Sequence, residues 1–336
     1  MSDTARIIEA ALFCFVLSAV LSPIIIRVIK KQKIKQTILC YVEAHQGKAG
    51  TPTMGGIIFV VSIVVSGCLF MQGASHLFLA ALIVFFGFAL TGFLDDYIKF
   101  RFKRNLGLKA YQKIIFQLII GIGIGFFAYY SRFIQGQIII PFTGITVSLG
   151  WWIVPFSALV MIASTNSVNL TDGLDGLAAT TTLCYFLCFI GLMVVLITKK
   201  GESYSTLELM EYKNIIMLSA VVVAAMLAFL LFNSFPAKIF MGDTGSLALG
   251  ALVGGMAVVT KTALYVLMMG IMFVLSSVSV IIQVAYYKMT KKRVFLMAPL
   301  HHHFEKKGVF EGKIVVCYGV ISLVFGVAVV LIELLL

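Results

Sequence analysis

Apolar runs long enough to cross a lipid bilayer recur along the whole chain, and this constrains the fold more than any motif does. A helix needs about 20 apolar residues to cross roughly 30 Å of hydrocarbon. Ten stretches approach that length: 7–29, 55–73, 76–94, 114–131, 151–168, 175–198, 213–233, 244–260, 263–287 and 314–335. The 336 residues are 61% hydrophobic and 12% charged, with a mean hydropathy of +1.06. About a quarter of a soluble domain's residues are charged. The sequence therefore predicts an all-α polytopic membrane protein of about ten spans, organised as a single domain over 1–336. The runs are continuous rather than alternating, which argues against a transmembrane β-barrel. One loop, 137–149, has β-branched runs around Pro141–Gly144 and predicts a small hairpin.

Lysine and arginine set the expected orientation. Ten spans divide the loops between two sides. Of the 26 basic residues, all but Arg6, Arg132, Lys199, Lys200, Lys213 and Lys261 fall in the loops at 27–54, 95–113, 234–243 and 288–313. That side, which also holds the loop at 167–173, is expected to be cytosolic, with both termini extracytoplasmic. The net charge of +12 is then mainly a topology signal. Nucleic acid is a poor partner for so apolar a chain, whereas anionic head groups and phosphorylated substrates fit.

The acids follow the same asymmetry. Of six aspartates, Asp3 is near the N-terminus, while Asp95, Asp96, Asp172, Asp175 and Asp243 lie at the cytosolic ends of spans, in three loops. Solubilising acids would not be confined to one side. Asp95 and Asp96 end the third span, against the negative end of the helix dipole, so a cation or the following Lys99, Arg101, Lys103 and Arg104 must offset them. Metal or phosphate chemistry and an exposed, locally paired acidic step both fit. Asn166, Asn169, Asp172 and Asp175 recur every three residues and stay near one face of a helical or 3₁₀ turn. Gly173 and Gly176 let a ligand or backbone come close. The plainer reading is that Asp172 or Asp175 caps the sixth span. Asp243 opens the eighth span, where an acid suits the dipole as a cap, and Asn233 and Lys238 add polarity nearby.

His301, His302 and His303 form a run in the last basic loop, suited to imidazole chemistry or to a solvated turn. No cysteine or acid stands at zinc-ligand spacing beside them. The six cysteines form no CxxC pair and read as packing residues. Gly121, Gly123 and Gly125 lie inside a span and read as helix-packing glycines. Walker A, HExxH and GxSxG patterns are absent from the sequence.

The segments GKAGTPTMGG (47–56), LDDYIK (94–99), NSVNLTDGLDGLA (166–178), FNSFPAKIFMGDTGSLALG (232–250) and PLHHHFEKKG (299–308) together resemble the phospho-N-acetylmuramoyl-pentapeptide transferase family. That family is a branch of the polyprenyl-phosphate N-acetylhexosamine-1-phosphate transferases. The likeness runs from about 45 to 310 in the same order of spans. It implies transfer of phospho-MurNAc-pentapeptide from UDP-MurNAc-pentapeptide to undecaprenyl phosphate. This gives lipid I and UMP, needs Mg²⁺, and serves peptidoglycan synthesis in the bacterial cytoplasmic membrane. It implies catalytic roles for Asp95, Asp96, Asp243 and His301, with Asp243 on the metal. Substrate contacts fall on Lys48, Thr53, Asn166, Asn169, Asp172, Asp175, Asn233, Phe240, Gln283, His302 and His303. The family also suggests a homodimer. Two segments depart from its pattern: Gly308-Val309-Phe310 stands where a GW segment is usual, and TILCYVEAHQ before Lys48 lacks the usual DGP. The nearest alternative is a sister transferase using UDP-GlcNAc. From another class, a secondary transporter also uses intramembrane acids, though usually near the midplane.

Overall fold

A computed structural model describes residues 2–32, 51–102, 107–201 and 204–336. Among these residues twelve α-helices follow in order: α1 (Asp3–Lys31), α2 (Gly56–Phe70), α3 (His76–Arg101), α4 (Ala110–Tyr130), α5 (Ile153–Thr171), α6 (Leu177–Lys200), α7 (Thr206–Asn233), α8 (Gly242–Val259), α9 (Val266–Met269), α10 (Ile271–Thr290), α11 (Leu300–Lys306) and α12 (Glu311–Leu335). Among the described residues, nine helices are long and apolar enough to cross a membrane. In lipid a helix satisfies its own backbone, so continuous apolar runs become helices rather than open strands.

The second expected span, 55–73, is α2 with only 15 residues, yet its ends are fixed at opposite ends of the bundle. Gly55 and Gly56 donate backbone N–H bonds to the carbonyls of Phe240 and Met241, at the start of α8. At the other end the Phe70 carbonyl accepts from Arg6, in the first turns of α1. It thus runs most of the bundle's length.

The ninth expected span, 263–287, is not one helix. A 3₁₀ turn at Ala263–Tyr265 and the short α9 precede Gly270, and α10 begins at Ile271. A side chain at Gly270 would press on the Val266 carbonyl, so the chain bends there at the residue that tolerates it.

The expected hairpin is present. Strands β1 (Gln137–Ile139) and β2 (Thr146–Ser148) pair antiparallel, with Ile138 opposite Val147. It caps the end of the bundle that also holds both chain termini. Phe142 N–H in its turn donates to Glu333 near the end of α12. His76, at the start of α3, lies against Phe133 just before the hairpin.

Helix α8 is the axis of the core. Every residue from Thr244 to Val259 is buried, and α8 packs most closely on α3 and then on α5. Gly92 in α3 permits the first contact: a Cβ there would collide with the Asp243 carbonyl. The glycines of α4 behave as expected at two positions. Gly121 and Gly125 meet Ala158 and Val154 of α5, while Gly123 faces open space. Cys184 and Cys188 are buried in α6, and Gly326 of α12 sits against Cys188.

Candidate active site

The close packing of α3 on α8 places the last turns of one helix against the first turn of the other, at the end of the bundle opposite the hairpin. Carboxylate oxygens of Asp95, Asp96 and Asp243 come within 4.8 Å of one another. Asp95 is 0% exposed and Asp96 4%. Three acids so close need compensation, and two lysines supply it. Lys99, one turn beyond Asp95, places Nζ 2.7 Å from Asp95 Oδ2, 3.1 Å from Asp243 Oδ2 and 3.8 Å from Asp96 Oδ1. Lys113, from the first turn of α4, places Nζ 2.6 Å from Asp243 Oδ2 and 3.1 Å from Asp95 Oδ1.

The two neighbouring aspartates do different things. Asp96 is turned into α8: Oδ2 accepts from Thr244 N–H at 2.9 Å and Thr244 Oγ1 at 2.7 Å, and Oδ1 from Asp243 N–H at 3.3 Å. Helix N-termini leave their first N–H groups unpaired. The residue at the α8 cap position, Met241, makes no side-chain cap bond, so Asp96 caps α8 from a different helix. Asp243 is therefore not the cap that its position suggested. Asp95 instead faces both lysines and accepts from Leu108 N–H at 2.7 Å. Gly107 passes so close to that carboxyl that a Cβ would strike it.

The 166–175 series is partly united with this cluster. Asn169 Nδ2 donates to Asp243 Oδ1 at 3.1 Å and to Ser246 Oγ at 2.8 Å. Asn166 pairs with Gln117 at 2.9 Å, one turn further into the bundle. Asp172 ends α5. Burial, with the charges of Asp243, Asp96 and Asp175, pushes its carboxyl up to about 8. The cap position of α6, which starts at Leu177, is held by Gly176 with φ 78°, so Asp175 stands one residue before it. Its Oδ2 accepts from Ala237 N–H at 2.9 Å, and its N–H donates to Glu311 Oε1 at 2.6 Å. It thus joins the loop after α7 to the start of α12. Asn233 donates to the Ile239 carbonyl, shaping that same loop. Phe240 pairs through its backbone with Pro52 and Gly55. Thr53 Oγ1 and Asp96 Oδ2 both lie against Gly242, whose φ of 68° needs glycine.

The histidines divide. His301 is fully buried on α11, its ring 4.4 Å from that of His302 and 6.2 Å from Tyr318. Both His301 and His302 lie against Gly173, next to Asp172. His302 also meets Glu305 at 2.8 Å. His303 points elsewhere, accepting from Leu296 N–H. Gln283 accepts from Val294 and Phe295 N–H. It and His303 both brace the segment between α10 and α11 instead of joining the carboxylates, because their backbone partners there are local. Lys48 lies outside the described residues. Sequence reasoning did not single out Lys113, Thr244 or Glu311, each of which completes a contact made by a named acid.

This donor set fits a hard divalent cation. Mg²⁺ takes oxygen ligands at 2.0–2.1 Å, so ligands across it are about 4.2 Å apart. One oxygen from each of the three carboxylates lies within 4.8 Å of the others, a span such an ion can bridge, with Lys99 and Lys113 beside them. Asp243 and Asp95 have oxygens that face the lysines, whereas Asp96 is engaged by α8.

The fold and the site together define a polytopic α-helical membrane protein with an acid–lysine cluster at one end of its bundle. Residues 78–261 match glycosyl transferase family 4, and residues 48–60 match phospho-N-acetylmuramoyl-pentapeptide-transferase signature 1. The chain is 41% identical over 325 residues to the phospho-N-acetylmuramoyl-pentapeptide-transferase of Clostridioides difficile (strain 630), covering 96% of this chain and 97% of that one. It is 42% identical over 327 residues to that of Desulfitobacterium hafniense, covering 96% of each. With that of Acetivibrio thermocellus the identity is 44% over 311 residues, covering 92% of this chain and 89% of the relative. The chain belongs to glycosyl transferase family 4 and, within it, to the phospho-N-acetylmuramoyl-pentapeptide transferases.

Proposed function

We propose that the chain transfers phospho-MurNAc-pentapeptide from UDP-MurNAc-pentapeptide to undecaprenyl phosphate, releasing UMP and forming lipid I for peptidoglycan synthesis. The observation that carries this reading is the convergence of Asp95, Asp96 and Asp243 with Lys99 and Lys113 at one end of the bundle. The donor is anionic and soluble, and the acceptor carries a long apolar tail. The two can meet only at a membrane surface, and the basic loops favour the cytosolic face of the bacterial cytoplasmic membrane. Asp243 would hold Mg²⁺, which supplies charge neutralisation on the donor pyrophosphate when bound.

The chain's own groups do the rest. Lys99 and Lys113 bridge carboxylates in the free protein and exchange them for substrate phosphate oxygens, meeting charge where it develops. Asp95 orients the acceptor phosphate. Asp96 positions Asp243 by holding the first turn of α8. A phosphate monoester has a second pKa of about 6, so the acceptor attacks directly as a dianion and no strong base is required. Asn166, Asn169, Asp172, Asp175, Asn233 and Phe240 form the donor side of the site. His301 and His302 stand against Gly173, on that side. A homodimer belongs to the same reading and rests on the resemblance alone.

A donor-competition assay tests the proposal. Purified protein with undecaprenyl phosphate and Mg²⁺ should release UMP from UDP-MurNAc-pentapeptide and leave UDP-GlcNAc unused. Preference for UDP-GlcNAc would assign the chain to the sister transferases. Solute flux into proteoliposomes without UMP release would make it a transporter.

A further inference from the structure

The hairpin end of the bundle holds a second charged site, independent of the transferase reading. Arg6, in the first turns of α1, is only 8% exposed. Its Nη1 donates to Asn214 Oδ1 at 2.8 Å and to the Phe70 carbonyl at 2.9 Å. Its Nε and Nη2 are buried without a hydrogen-bond acceptor among the described residues. A guanidinium has five N–H donors and keeps its charge, and buried donors left unmet are costly. Arg6 also lines a cavity of about 360 Å³, together with Asp3, Leu69, Phe70, Met71 and Gln72.

The neighbouring charges leave Arg6 in excess. Asp3 stands 3.9 Å from Arg6 Nη2 but accepts Lys213 Nζ at 2.6 Å. Glu211, on the same helix as Asn214, is turned to the start of α3, where it accepts from Ser75 Oγ and from the N–H groups of His76 and Leu77. Asp3, the one acid lining the cavity, is thus drawn to Lys213, and among the described residues Arg6 has no carboxylate closer than 3.9 Å. The approach is apolar at Leu69, which lines the cavity and is 62% exposed. Exposed Trp151 and Trp152 at this same end suit the depth of a membrane–water interface.

We propose that this cavity binds a singly charged phosphate group through Arg6 Nε and Nη2. A guanidinium's paired donors match phosphate oxygens. The phosphate belongs either to the phosphodiester of an anionic membrane lipid, whose chains run along Leu69, or to free phosphate ion. The cavity lies at the bundle end away from the carboxylates, so occupancy acts on the fold and not on the chemistry.

The test follows the unfolding midpoint of the full chain in neutral detergent during titration with phosphatidylglycerol, phosphatidylcholine or inorganic phosphate. Wild type is compared with Arg6→Gln and with Gln72→Glu, which sets a negative charge in the cavity wall and leaves the bonds of Arg6 in place. Wild type should show saturable stabilisation by phosphatidylglycerol. Both variants should bind it about tenfold or more weakly, the scale of one charge-assisted hydrogen bond, and Gln72→Glu should keep wild-type UMP release. Stabilisation by phosphatidylglycerol alone assigns the lipid source, and equal stabilisation by inorganic phosphate assigns the free ion. Wild-type affinity in Gln72→Glu, or no difference between phosphatidylglycerol and phosphatidylcholine in any of the three proteins, would overturn the proposal.

Discussion

Replacing Asp96 separates its work on the fold from any part in the chemistry. Its carboxylate is 4% exposed and accepts three hydrogen bonds from the first turn of α8. Asp96→Ala leaves Thr244 N–H and its hydroxyl buried without that acceptor. Each orphaned group costs about 1–3 kcal/mol, and a lost helix cap alone costs about 0.5–2 kcal/mol. The Asp243 N–H bond is long, at 3.3 Å, and adds little. A loss of about 3 kcal/mol is expected for Asp96→Ala. Asp96→Asn keeps one carbonyl oxygen for Thr244 and should lose about 1 kcal/mol. Asp95→Asn is the control. It removes one of three crowded charges and keeps an acceptor for Leu108 N–H, so it should change stability by less than about 1 kcal/mol. Equilibrium unfolding in mixed micelles measures all three. Turnover should fall by roughly 10²-fold or more for each. Equal stabilities of Asp96→Ala and Asp95→Asn would refute the cap and return Asp96 to the chemistry alone.

Three further outcomes follow from the same geometry. Gly92→Ala forces a methyl group onto the Asp243 carbonyl, so it should abolish UMP release and lower the unfolding midpoint, whereas Gly123→Ala, facing open space, should do neither. The Asp172 carboxyl is raised from 3.8 to about 8, so the unfolded chain loses this proton before the folded one does. Its contribution to stability is present below about pH 4 and lost as pH rises through 8. Asp172→Asn should flatten that fall in metal-free melts between these limits, and an unchanged slope would count against it. A cysteine placed at Lys292 in a cysteine-free background should react with an impermeant thiol reagent only from the cytosolic side; labelling from outside would invert the topology.

The spans were legible because hydrophobic length is a local property, and the hairpin because its β-branched runs flank a turn. The site was legible in outline, since five aspartates on one side predict a shared surface. Its internal division of labour was not. Nothing in the Asp95-Asp96 pair says which carboxylate turns into α8, because that depends on a partner 148 residues away. Lys113 reads as one more basic loop residue until α4 packs beside α3. Gly270 resembles any glycine in an apolar run, and its sequence neighbours do not mark it as the break between α9 and α10. Nor does the sequence say that Gln283 Oε1 and His303 Nδ1 also hold the segment between α10 and α11.

The central claim is direct phosphoryl transfer between two substrates held at the Asp95–Asp96–Asp243 cluster. Rapid-quench measurement of UMP after mixing Mg²⁺-loaded protein with UDP-MurNAc-pentapeptide, with and without undecaprenyl phosphate, tests it most directly. The account predicts no UMP without the lipid, and with it one UMP per lipid-linked product, at a rate that collapses in Asp243→Asn. A stoichiometric burst of UMP from wild type in the absence of undecaprenyl phosphate, lost in Asp95→Asn, would contradict it and make Asp95 a covalent nucleophile.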